Sequence, residues 1–163
     1  MPKVDSERLR AILPASSLGM MTAAFIIAKT GRDALFFQGN GVFQLPVATM
    51  MIAAASLPLA MIFVKAMKTW GARRARIGIM LFGAAVLAVS APLLETADSP
   101  LLFYIFIFIP SIFGIMFASL WLLASDLLEN TAKPLAARAF SRIAASSLGG
   151  GMVGGFIAKA LVP

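Results

Sequence analysis

The chain has 163 residues, a net charge of +7, 60% hydrophobic and only 13% charged residues, no histidine and no cysteine, and a mean hydropathy of +0.92. That apolar content exceeds the roughly half expected of a soluble domain, and the missing side chains exclude a Cys/His zinc site, a thiol nucleophile, a Ser-His-Asp triad and disulfides. The positive charge does not mark a nucleic-acid binder, because the basic residues stand beside apolar runs and no groove of interleaved basic and aromatic residues is present.

Residues 1–10 are polar, with Lys3, Arg8 and Arg10 against Asp5 and Glu7. The apolar run 11–29 is longer than the core of a signal peptide, no small-residue cleavage site precedes a polar mature domain, and further apolar runs follow. It reads as a first transmembrane helix. Four more runs follow at 45–64, 77–94, 101–128 and 143–162, the last rich in glycine. Each reaches or approaches the ~20 residues that a helix rising 1.5 Å per residue needs to cross hydrocarbon. Backbone in lipid must close its own hydrogen bonds, and the alternation of a barrel strand is missing, so the runs are helices. The expected fold is all-α: a polytopic membrane protein of about five transmembrane helices forming one domain over 1–163.

Orientation follows from the basic residues. Lys65, Lys68, Arg73, Arg74 and Arg76 lie between the second and third runs with no acid among them. Such a cluster stays on the cytoplasmic side. With the amino terminus inside, eleven basic residues are cytoplasmic and three, Lys29, Arg32 and Lys159, are not. The expected location is the cytoplasmic (inner) membrane, with loops 30–46 and 95–100 outside. An odd number of spans puts the carboxyl end outside as well, and reads as a truncated half of a longer transporter.

Three groups of residues can carry function. Lys29, Arg32 and Asp33 fall on one side of a helix at spacings of three and four, presenting two cations and a counter-ion together. Two cations beside a pathway can hold an anion, and charges at the bilayer centre, costing ~2.5–3.5 kcal/mol each, usually serve traffic. The competing reading is interface anchoring: Lys29 ends its span, where long side chains snorkel, and Gly31 is placed to break the helix. In the fourth run Ser111, Ser119 and Asp126 share one face, with Pro110 placed to bend the helix. Asp126 can bind a cation, take a proton, or pair with Arg138 or Arg142. In the fifth run Ser147, Gly151 and Gly155, and beside them Ser146, Gly150 and Gly154, form two small-xxx-small ridges on which helix backbones approach closely. A phosphate-cradling loop is the alternative there, but no GKS or GKT follows the glycines.

KTGRDALFF, the WGARRAR segment, and WLLASDLLENTAKPLAARAFSRIAASSLGGGMVGG together resemble the amino-terminal half of the ATP/ADP translocase family, nucleotide exchange transporters related to the major facilitator superfamily. The resemblance covers nearly the whole chain. It implies a two-bundle carrier working by alternating access, with Lys29 as a phosphate or anion contact and Arg32 and Asp33 completing the motif. The implied partners are membrane lipid, a small anionic and nucleotide-like solute, and a second helical bundle or partner subunit; no cofactor or metal is implied. Two other readings stand beside the carrier. One is a non-transporting subunit that docks partner helices through its glycine faces. The other, a membrane enzyme, is the weakest, since His and Cys are absent and acids are sparse.

Overall fold

The computed structural model describes residues 3–40, 42–94, 99–129 and 131–161. Five helices account for nearly all of them: α1 (Lys3–Asn40), α2 (Leu45–Trp70), α3 (Ala72–Leu94), α4 (Ser99–Leu128) and α5 (Lys133–Leu161), with a single 3-10 turn, Val42–Gln44, ahead of α2. Four stretches are long and apolar enough to cross a membrane: Ile12–Gln38, Val42–Trp70, Ala72–Leu93 and Pro100–Leu128. The protein is thus an all-α, polytopic, membrane-embedded chain. Large apolar side chains such as Leu57, Met61, Leu81 and Phe156 face outward. In water such a surface would drive aggregation; in lipid it is ordinary.

The fifth helix forms where the glycine-rich run predicts it but is not among the four apolar spans. Its serines and glycines lower its hydropathy, and they are the residues that close packing requires. Two boundaries also move. Gly31 does not end α1, which continues as helix to Asn40, so the expected outer loop 30–46 is mostly helical. The basic segment is not a loop either. Helix α2 runs to Trp70, α3 starts at Ala72, and the corner between them is Gly71 alone, at φ +83°, a region that glycine enters without a Cβ penalty. The Gly71 carbonyl then accepts the first bond of α3 from Ala75 N at 3.1 Å. The outer loop expected at 95–100 lies mostly outside the described residues.

The residues group into two compact units, Met1–Ala28 with Phe117–Pro163, and Lys29–Met116. In the first, the early part of α1 lies on α5 and the late part of α4. Phe25 meets Phe117 edge-on at 5.8 Å, and Trp121 of α4 lies parallel to Phe140 of α5 at 6.2 Å. In the second, Phe36, Ala48 and Phe106 form one buried cluster joining α1, α2 and α4, while Phe63, Ala75 and Ile115 form another joining α2, α3 and α4. A close contact completes it: a Cβ on Gly83 would fall 2.3 Å from Met116 Sδ, so the methionine end occupies the space that the glycine leaves.

Candidate functional site

The Lys29 group lies inside α1, not at its end. Because the apolar stretch runs from Ile12 to Gln38, Lys29 is nine residues short of its end, roughly 14 Å of helix. That placement removes the premise of the snorkelling argument, which needs the charge at a helix terminus.

The three charges meet at Asp33, which stands within ion-pair distance of both Lys29 and Arg32, but the two cations are not equally accessible. Arg32 is buried, at 7% exposure. Its Nε donates to Asp33 Oδ1 at 2.9 Å, its Nη2 donates to the same oxygen, and its Nη1 donates to the backbone carbonyl of Phe106 at 3.3 Å. The guanidinium carbon stands 4.0 Å from the centroid of the Phe106 ring, a cation–π contact. That ring also stacks on Phe36 at 4.0 Å, one helical turn beyond Arg32. Arg32 is therefore fully engaged within its own unit. Lys29 differs: its side chain is half exposed, and its Nζ stands 4.0 Å from Asp33 Oδ2. A lysine placed four residues before its acid is also the weaker order for such a helical pair.

Phe106 is available as an acceptor for a reason written in α4. Its carbonyl would ordinarily receive the N–H of residue 110, but that residue is Pro110, which has none. An unsatisfied carbonyl in an apolar environment costs several kcal/mol, and Arg32 supplies the missing donor. Sequence reasoning assigned Pro110 a bend and overlooked this consequence. The signal was present: a proline inside an apolar helix frees the carbonyl four residues earlier. Close by, the Ser111 hydroxyl is within reach of Ile107 O at 2.8 Å and of Ile52 O of α2 at 3.3 Å.

The net result is simple. Arg32 and Asp33 neutralise each other, and Lys29 leaves one positive charge in excess on an apolar helix.

The polar face expected on α4 divides. Ser111 and Ser119 are buried while Asp126 is exposed. Asp126 belongs to the first unit and the Lys29 group to the second.

The glycine ridges find their partner within the chain. Ser146 Oγ donates to Ala15 O at 2.7 Å; a Cβ on Gly150 would fall 2.0 Å from Gly19 O, and one on Gly154 would fall 2.6 Å from Ala23 O. Pairing 15, 19 and 23 with 146, 150 and 154 makes α1 and α5 parallel along this seam. Thr22 and Ser147 join their hydroxyls at 2.7 Å, and since Thr22 Oγ1 donates to Leu18 O at 2.8 Å, Ser147 is the donor between them. Gly151 lies in ordinary contact with Thr22, whereas Gly155 meets open space. The partner ridge Ala15-xxx-Gly19-xxx-Ala23 was equally readable from its spacing of four.

What the fold and the site define is a class: a polytopic helical membrane protein with an unbalanced cation inside its first apolar helix. Comparisons with protein-family models, with curated proteins and with solved structures found no match to the chain.

Proposed function

We propose that the chain is the helical bundle of a secondary transporter, not an enzyme, and that it moves an anionic, nucleotide-like solute by alternating access. The observation that carries this reading is the excess charge of Lys29, half exposed and only loosely tied to Asp33, beside an Arg32 already committed to Asp33 and Phe106. A charge kept in an apolar helix needs a counter-ion, and a transported anion supplies one. The resemblance to the ATP/ADP translocases suggests a phosphate-bearing solute and a second helical bundle as partner. The distribution of basic residues supports the cytoplasmic membrane with the amino terminus cytoplasmic.

The glycine-docking alternative loses ground, because the ridge through Gly150 and Gly154 already faces α1. The test is uptake of labelled nucleotides by proteoliposomes. Charge-assisted contacts of this kind are worth ~1.5–3 kcal/mol, so Lys29→Ala is expected to lower uptake roughly ten-fold or more. Uptake no greater than in protein-free liposomes would contradict the carrier. Unchanged uptake in the variant would remove Lys29 from the site.

A further inference from the structure

The outward side of α2 carries a groove of about 650 Å³ whose walls include Leu57, Met61, Val64, Lys65 and Lys68. The spacing 57, 61, 64 and 68 is one helical stripe, with Lys65 a turn beyond Met61. The opposite side of the same helix, through Leu59, Phe63 and Met67, packs on Ala75, Ile79 and Ile115. One side of α2 is therefore occupied by protein and the other is open.

The chemistry of the open side changes along its length. Lys65 lies twenty positions after Leu45, roughly 30 Å of helix, which matches the hydrocarbon thickness of a bilayer. Leu57, Met61 and Val64 thus lie at acyl-chain depth and the two lysines at headgroup depth. Trp70, exposed just beyond them, suits the interface. Neither Lys65 nor Lys68 has an acidic partner among the described residues. The next basic residues, Arg73, Arg74 and Arg76, begin α3. A helix amino terminus disfavours cations, so the dipole of α3 does not account for placing them there.

We propose that this groove is a binding site for an acidic phospholipid, with an acyl chain along Leu57, Met61 and Val64 and the headgroup phosphate between the ammonium groups of Lys65 and Lys68. A zwitterionic lipid would bring a cation that cancels its phosphate into a corner already basic; an acidic lipid keeps a net negative charge there. The proposal needs the chain to be membrane-embedded and is independent of transport.

The test uses tryptophan quenching by lipids with brominated acyl chains. Trp70→Phe and Trp121→Phe remove both native tryptophans, and Met61→Trp then reports on the groove. Leu81→Trp, on the exposed part of α3 at a similar distance from Gly71, is the reference. A basic residue near the membrane surface contributes ~1 kcal/mol toward an acidic lipid, or about five-fold. Brominated phosphatidylglycerol is therefore expected to compete with phosphatidylcholine at Met61→Trp about five-fold better than at Leu81→Trp. Adding Lys65→Gln and Lys68→Gln should bring the two positions together. Equal preference at both positions would overturn the proposal in favour of diffuse surface charge, as would a preference that survives loss of the lysines. Absence of quenching by either lipid at Met61→Trp would overturn it by showing that protein covers the groove.

Discussion

The α1–α5 seam of one unit and the Phe106 contact of the other are made by opposite means. Along the α1–α5 seam nothing larger than a hydroxyl intervenes: Gly19, Gly150 and Gly154 let backbones touch, and Ser146 and Ser147 donate across. Around Phe106 the contact is made by large side chains, two stacked rings and a buried guanidinium. Apolar burial cannot select a partner helix when lipid is as apolar as the helix face, so the specific contact must come from close packing or from polar groups with few alternatives. The α1–α5 seam uses the first and the contact around Phe106 the second. The difference teaches that the two seams will fail to different substitutions.

The largest effect is expected at Gly150. A leucine there meets the Gly19 backbone, which cannot swing away as a side chain can, so Gly150→Leu should destabilise by about 3 kcal/mol or more, the upper end for overpacking. Unfolding in detergent in a Trp70→Phe background, followed by the fluorescence of Trp121 on Phe140, reads that unit directly. Gly155→Ala, which enters open space, sharpens the comparison because it should move stability by less than about 0.5 kcal/mol. If both substitutions behave alike, the seam is not where the helices meet.

Next comes Arg32. Arg32→Ala strands Asp33 and the Phe106 carbonyl together, and with Asp33 partly solvated and Lys29 nearby the loss should be about 2 kcal/mol. Smaller still is its coupling to Pro110. Pro110→Ala returns an N–H to the Phe106 carbonyl, so Arg32→Ala should be milder in that background by ~1 kcal/mol, near the upper range for polar contacts between membrane helices. A double-mutant cycle in detergent measures this term. Strict additivity would show that Arg32 does not compensate for the proline.

How much of this could be read beforehand depends on the kind of signal. The helical class and the four apolar spans follow from hydropathy, because lipid permits few backbone solutions. The ridges on α5 were visible as a spacing, and so was the ridge Ala15, Gly19 and Ala23 on α1, but a spacing does not by itself say which helix lies opposite. The end of α1 was misplaced because AKTGRD has the composition of a turn. In the fold, Arg32 and Asp33 satisfy each other and Gly31 is merely helical. Likewise WGARRAR looks like a loop by charge, while its only non-helical residue is Gly71. Local polarity marks a break only where the polar groups lack partners.

The proposal at the centre of the account is that the positive charge at Lys29, half exposed and only loosely tied to Asp33 within α1, holds a transported anion. The chain contains no cysteine, so Lys29→Cys introduces a unique thiol at that position. Its reaction with an aminoethyl thiosulfonate restores a cation, and reaction with a sulfonatoethyl thiosulfonate places an anion there. The account predicts that nucleotide uptake into proteoliposomes falls in Lys29→Cys, recovers with the aminoethyl adduct and stays low with the sulfonate. Uptake that is indifferent to the substitution, or that responds equally to both reagents, would contradict it.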